Sequence, residues 1–259
     1  MKYDIGDLLN SWPFDPDEFI ARRIIARDGT EKIQIRIDMG MLQLEVSGRP
    51  DGQRPFGAAS LLEHYESSAG KGAVPGYPEL DDEACEELFQ EAWQYYQRYL
   101  SLFYLEDYAG VIEDTGHNLD IFDLVQQRAA SDEVKWYFEQ YYPHAIMMQA
   151  RAKAMQALDK EDYRSALREV ENGIERIEGF LAEWEGETIE EDFPELSFLR
   201  DWHEELEKER PLSHREQLER DLNVAVEAEN FEEAARLRDK LRTMRPFLKG
   251  PSAERSSLT

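Results

Sequence analysis

The chain has 259 residues, of which 41% are hydrophobic and 33% charged, with a formal net charge of −26 and a single cysteine, Cys85. That length buries a real core, whereas an intramolecular disulfide or a cysteine-rich zinc site is excluded. Duplex nucleic acid is held largely by Lys and Arg on phosphates, so a chain this acidic is repelled from DNA at long range and no direct nucleic-acid binding is expected.

The N-terminus, MKYDIGDLLNSWPFD, carries acids and an early Trp-Pro where a secretory signal would be basic and then apolar. No run approaches the roughly 18 apolar residues of a membrane span. These features predict a cytoplasmic protein with no membrane contact. Residues 20–47 read as a small antiparallel meander. Asp28-Gly29 and Met39-Gly40 are turn signals. Ile33, Ile35 and Ile37 alternate with polar residues, as do Leu42, Leu44 and Val46. One face is apolar and needs a cover, and the short helix expected in AASLLEHYE is placed to supply it. GRPDGQRP between them reads as a shaped connecting loop.

Ser67 to Asp82 is small, proline-bearing and aperiodic, the signature of a linker. Beyond it nothing resembles a strand. Asp81 and Asp82 cap a predicted helix over 82–104, on which Leu88, Ala92, Tyr95, Tyr96, Tyr99 and Phe103 recur at helical spacing. Further helices are predicted over 106–128, 132–158, 161–184 and 195–209, with Pro143 kinking or splitting the third. The rings in WQYYQRYLSLFY and KWYFEQYYPH suit core packing between long helices; a peptide-binding groove is the alternative. Single-strand nucleic-acid binding would need a basic track that Arg98 and Lys135 alone do not make. His64, His117, His144, His203 and His214 are scattered, and Glu-x-x-His, the di-iron bundle signature, does not occur. Asp114 and His117 with Glu113 could share a helix face, but no metal site, no other cofactor and no catalytic residue is predicted.

An internal echo runs through YLEDYAGVI (104–112), DKEDYRSAL (159–167) and EAENFEEAA (227–235). Each has an acidic turn, an aromatic, then small or apolar residues three and four places on. The pattern predicts helical elbows with the ring filling the corner. The second copy resembles a tetratricopeptide turn, but the spacing far exceeds the roughly 34 residues of such an array, so the body is expected to be irregular and only weakly TPR-like.

After Pro211, Ser213 and Glu216 form a capping box. The helix presents Leu218, Leu222 and Ala225 or Val226. A turn at Ala228-Glu229 leads to Asn230, which can cap a second helix carrying Phe231, Ala234, Ala235, Leu237, Leu241 and Met244. Two such helices cannot enclose a core alone, since domains below about 40 residues need metal, disulfide or a partner. The segment therefore reads as an association module.

LERDLNVAVEAENFEEAARLRDKLRTM resembles the UVR motif, the hairpin shared by the excision-repair proteins UvrB and UvrC and by some regulators of Clp-type proteases. The resemblance implies that Leu218, Leu222, Phe231, Ala234, Ala235, Leu237 and Leu241 carry hairpin packing and pairing, and that Arg238 and Asp239 make polar contacts around that interface. It brings no reaction. The phosphate-binding Gly-Lys-Ser/Thr loop of the helicase, the nuclease signature of the repair proteins and the Cys-x-x-Cys pairs of the zinc-bearing protease adaptors are all missing. KIQIRIDMGMLQLEVSGRPDGQRP is also similar to the start of uncharacterised bacterial proteins ending in this motif.

The expected fold class is α+β, predominantly α. Residues 1–66 form a β-meander module with a covering helix, 67–82 a linker, 83–210 an acidic helical domain, 211–246 the hairpin and 247–259 a disordered tail. The expected function is that of a non-enzymatic adaptor whose hairpin pairs with the UVR hairpin of a partner, in excision repair or a Clp-protease regulatory system, or with itself as a homodimer. The alternative is an acidic helical scaffold that binds basic peptides through an aromatic-lined body, with the hairpin purely structural.

Overall fold

The computed structural model describes residues 4–69, 80–183 and 193–243. Met1–Lys208 form one compact unit and Glu209–Thr259 a second. The expected tail at 247–259 and Met244 lie outside the described residues, as does most of the expected linker at 67–82. The described ends of that linker are structured. Helix α2 (Leu61–Ala69) runs into its start, and at its far end Leu80 bridges to Ala129.

In the first unit a short helix α1 (Gly6–Ser11) precedes three strands, β1 (Ala21–Ile25), β2 (Glu31–Ile37) and β3 (Gly40–Glu45), in the order β1-β2-β3. Both pairs are antiparallel, with Arg22 opposite Gln34, Ile33 opposite Leu44 and Ile35 opposite Leu42. The alternation decides the core face: Ile33, Ile35 and Leu44 are buried in one cluster with Leu88 and Leu102 of α3 (Asp82–Tyr104). The cover expected from the helix at 58–66 is supplied by α3 instead; α2 packs on α3 and on α4 (Tyr108–Arg128). The opposite face is not left in water either. Arg36 is buried, donating to the Trp12 carbonyl at 2.7 Å and the Gly40 carbonyl at 2.8 Å, while the Arg22 guanidinium sits 3.9 Å from the Trp12 ring centre. The segment before β1 thus lies on the polar face and satisfies it.

The helical body adds α5 (Asp132–Glu139), α6 (Tyr142–Leu158), α7 (Tyr163–Glu183) and α8 (Pro194–Glu209). Pro143 stands in the first turn of α6, where its missing N–H costs nothing, and so splits the predicted 132–158 helix in two. Helices α3, α4, α6 and α7 pack successively, each on the next. A methyl at Gly173 of α7 would lie 2.6 Å from Ala150 and 3.1 Å from Leu199, so this glycine lets α6 and α8 approach α7 closely.

Two buried charges on one face of α3 fasten the sheet and its following loop to the body. Arg98 donates to Asp114 of α4 through Nε at 2.8 Å and a second nitrogen at 2.7 Å. Its remaining nitrogen reaches the carbonyls of Glu45 (3.2 Å) and Gly48 (2.6 Å) at the end of β3. Two turns earlier, the fully buried Glu91 accepts the N–H groups of Leu61 (2.8 Å) and Leu62 (3.3 Å) at the start of α2, together with His117 Nε2 at 3.0 Å. Arg49 lies 3.4 Å from the same carboxylate. A carboxylate at a helix N-terminus satisfies donors the helix cannot. Asp114 and His117, weighed from sequence as possible ligands, are engaged here as structural partners.

Candidate protein-interaction site

Each of the three echoed segments folds into the same elbow, with almost no loop. Glu106, Glu161 and Glu229 take left-handed φ values of 59°, 57° and 55°. The next residue, Asp107, Asp162 or Asn230, donates its N–H to Leu102, Ala157 or Ala225 at 2.8–2.9 Å, closing the helix behind it in a Schellman pattern. The same residue's side chain then accepts the N–H of Gly110, Ser165 or Glu233 and starts the helix ahead. One residue ends one helix and begins the next. The aromatic follows at the first helical position.

The three rings differ in cover. Tyr108 is buried, Tyr163 half-buried and Phe231 70% exposed. The expectation that Phe231 fills its elbow is therefore corrected: the position N1 of α10 (Phe231–Thr243) points away from the contact with α9 (His214–Glu227), whose inner rows are set three and four residues later. The hairpin's small core consists of Leu218, Ala225, Ala234 and Leu237, flanked by the half-buried Leu222 and Leu241. Ala235 is half-buried beside it. Ala225, not Val226, is the inward residue; Val226 (51%), Val224 (58%) and Phe231 remain as exposed apolar surface. Arg238 and Asp239 are exposed and face one another at 3.3 Å.

The capping box is present in full. The Ser213 hydroxyl accepts the Glu216 N–H, and the Glu216 carboxylate accepts the Ser213 N–H at 2.8 Å while pairing with both terminal nitrogens of Arg210. Arg210 first, then the hydroxyl and N–H of Ser213, hold the Glu216 carboxyl well below the usual range. Its helix-starting role therefore exists above the ordinary glutamate value and fades as pH falls. Replacing Ser213→Ala is expected to cost about 1 kcal/mol, read as faster amide exchange in the first turn of α9. Unchanged exchange there would show that Arg210 and Glu216 suffice to start the helix.

Residues 215–245 match the family model of the UvrB/uvrC motif. The hairpin is a UVR motif. Comparison with curated proteins and with solved structures finds no match for the chain. The UVR motif is a non-catalytic protein-interaction hairpin, and the match places that capacity in the second unit.

Elsewhere, the buried carboxylates Glu91 and Asp114 are held by the structural partners described above. Cys85 is buried; burial, then Asp82 and Asp81, push its thiol up to about 11, so it stays protonated near neutrality. Among the described residues no group of three or more His, Cys, Asp or Glu side chains is placed to hold a metal ion, and no helix is long and apolar enough to cross a membrane. The rings of the aromatic helices divide by burial. Tyr95, Tyr99 and Phe138 are core, whereas Trp93, Trp136 and Tyr137 are exposed by 50%, 51% and 44%.

Proposed function

We propose that this protein is a non-enzymatic adaptor whose UVR hairpin docks on a matching UVR hairpin, that of an excision-repair or Clp-protease regulatory protein or that of a second copy of this chain. The observation that carries the reading is the half-finished core of α9 and α10. Four small or medium apolar side chains are covered, Leu222 and Leu241 are covered on one side only, and Phe231, Val224 and Val226 stand in water. A second hairpin laid across the open side of Leu222 and Leu241 turns two helices into a four-helix core. Charge supports the same geometry. Helix α10 has Glu232 and Glu233 in its first turn and Lys240 and Arg242 in its last. An antiparallel partner of the same pattern meets opposite charge at both ends. Leu218, Leu222, Ala234, Ala235, Leu237 and Leu241 build the platform in this reading, Phe231 is the anchor, and Arg238 and Asp239 form the rim.

The test uses Phe231→Asp beside the native chain. The ring is largely exposed, so helicity should persist, while a charge at a desolvated anchor should weaken docking by several kcal/mol. Both chains, and one ending at Arg210, serve as baits for native lysate. Proteins bearing a UVR hairpin should be recovered on the native bait alone, or sedimentation should show a dimer only of the native chain. Equal recovery on all three baits would move the partner-binding role to the helical body.

A further inference from the structure

A second surface lies in the first unit, built without any residue of the hairpin. Helices α3 and α5 line a groove of about 560 Å³ whose apolar residues include Phe89, Trp136 and Tyr137. Phe89 also lines the neighbouring slot, where Trp93 and Tyr96 stack at 5.0 Å between ring centres and Tyr141 lies 5.7 Å from Phe89. The slot has room for one water-sized group, about 20 Å³. Its wall includes Asn118, which is 2% exposed. The Asn118 amide nitrogen donates to the Ala92 carbonyl at 3.0 Å, which fixes the flip of the amide. Its Oδ1 is then left buried with no hydrogen-bond partner. An orphaned acceptor of this kind costs about 1–3 kcal/mol until a donor reaches it.

The chemistry of the site selects its occupant. Asp82, Glu86 and Glu133 are the charged residues among those lining the groove, three acids and no base. Anions are therefore excluded from it, and cations favoured. Ring faces attract a cation, and Asn118 Oδ1 accepts only from a donor. An ammonium group is the size of the water-sized slot, whereas a guanidinium plane is larger. We propose that this groove is a docking site for a peptide segment of a partner protein that carries a lysine flanked by apolar residues. The ammonium enters the slot between Trp93 and Tyr141 and donates to Asn118. The apolar neighbours cover Trp136 and Tyr137, and the acids steer the segment in. A free polyamine would use the slot but leave those exposed rings uncovered, which is why a peptide is the occupant.

The probe is a short fluorescein-labelled peptide with a central lysine between leucines, titrated into the full chain at physiological ionic strength and followed by anisotropy and by quenching of Trp93. Saturable binding is expected, weakened at least about tenfold when the lysine is replaced by norleucine or when Trp93→Ala removes the slot wall. Trp93 is half exposed, so that variant should keep its fold, checked by its melting curve. In Asn118→Leu, whose amide oxygen is gone, lysine and norleucine peptides should bind alike. Three results would overturn the proposal. One is equal binding of both peptides to the native chain. Another is binding indifferent to Trp93→Ala but abolished in about 1 M salt, where exposed charges are screened beyond about 3 Å, since that marks diffuse attraction to an acidic surface. The third is displacement by spermidine at the peptide's own concentration, which assigns the slot to polyamines.

Discussion

Replacing Glu91→Ala is expected to destabilise the first unit by about 3–5 kcal/mol, the cost of breaking a buried charge network at one member. The carboxylate accepts from Leu61, Leu62 and His117 and faces Arg49. Its removal leaves two N–H groups at the start of α2 without that acceptor, and takes from Arg49 and His117 the anion that each of them faces. Glu91→Gln keeps an acceptor oxygen in place and should cost less, about 1–3 kcal/mol. Urea unfolding of the full chain followed by circular dichroism would measure both. A loss below about 1 kcal/mol for the alanine variant would show that α2 and its preceding loop are held by their apolar contacts alone.

The pH dependence of that loss has a defined sign. Burial pushes the Glu91 carboxyl up, but His117 and the N–H groups of Leu61 and Leu62 outweigh it, so the folded-state value lies below the ordinary 4.5. A group depressed on folding contributes fully above its unfolded value and loses that contribution as pH falls through the folded value. The stability difference between native and Glu91→Ala chains should therefore narrow as pH falls below about 4.5. Asp114 acts in the opposite sense. Burial lifts its carboxyl above the ordinary aspartate value despite the pull of Arg98, so acid favours the folded chain at that position and offsets part of the decline.

What the sequence made legible was local. The strands follow from alternation at Ile33, Ile35, Leu42 and Leu44, and the turns from Asp28-Gly29 and Met39-Gly40. Helix α3 begins where Asp81 caps it, and α6 begins where Pro143 allows. The acid–aromatic echo marks three elbows because a left-handed residue followed by a capping Asp or Asn is a property of four consecutive positions. What was not legible depends on partners distant in sequence. Nothing local in Arg36 says that the segment around Trp12 will fold over it. The cover of the sheet is α3 and not the nearer α2, a matter of tertiary packing. Glu91 and Arg98 did carry a signal, since both fall in the stripe of Leu88, Ala92, Tyr95, Tyr99 and Leu102. A charge inside an apolar stripe is a buried pair awaiting its partners, and only the fold supplies their identities. Phe231 shows the converse, because the residue plan that buries Tyr108 leaves this ring 70% exposed.

Replacing Leu237→Asp should act on the hairpin's fold, and so on everything the hairpin does. Leu237 is 5% exposed and packs in the cluster with Leu218, Ala225 and Ala234. Full burial of a leucine contributes about 1.5–3 kcal/mol, and a carboxylate in its place costs several more. A two-helix unit has few such side chains, so the substitution exceeds what the others supply, and α9 and α10 should melt together. Amide exchange over His214–Glu227 and Phe231–Thr243 should then approach that of an unfolded chain, and docking should be lost with it. The comparison with Phe231→Asp carries the argument. If Phe231 is the anchor, its variant loses docking with exchange protection intact, whereas the Leu237 variant loses both. Protection retained in Leu237→Asp would mean that the inward row of α10 is not the one assigned to it. Docking retained in Phe231→Asp, with protection intact, would place the partner on the Leu222–Leu241 side alone.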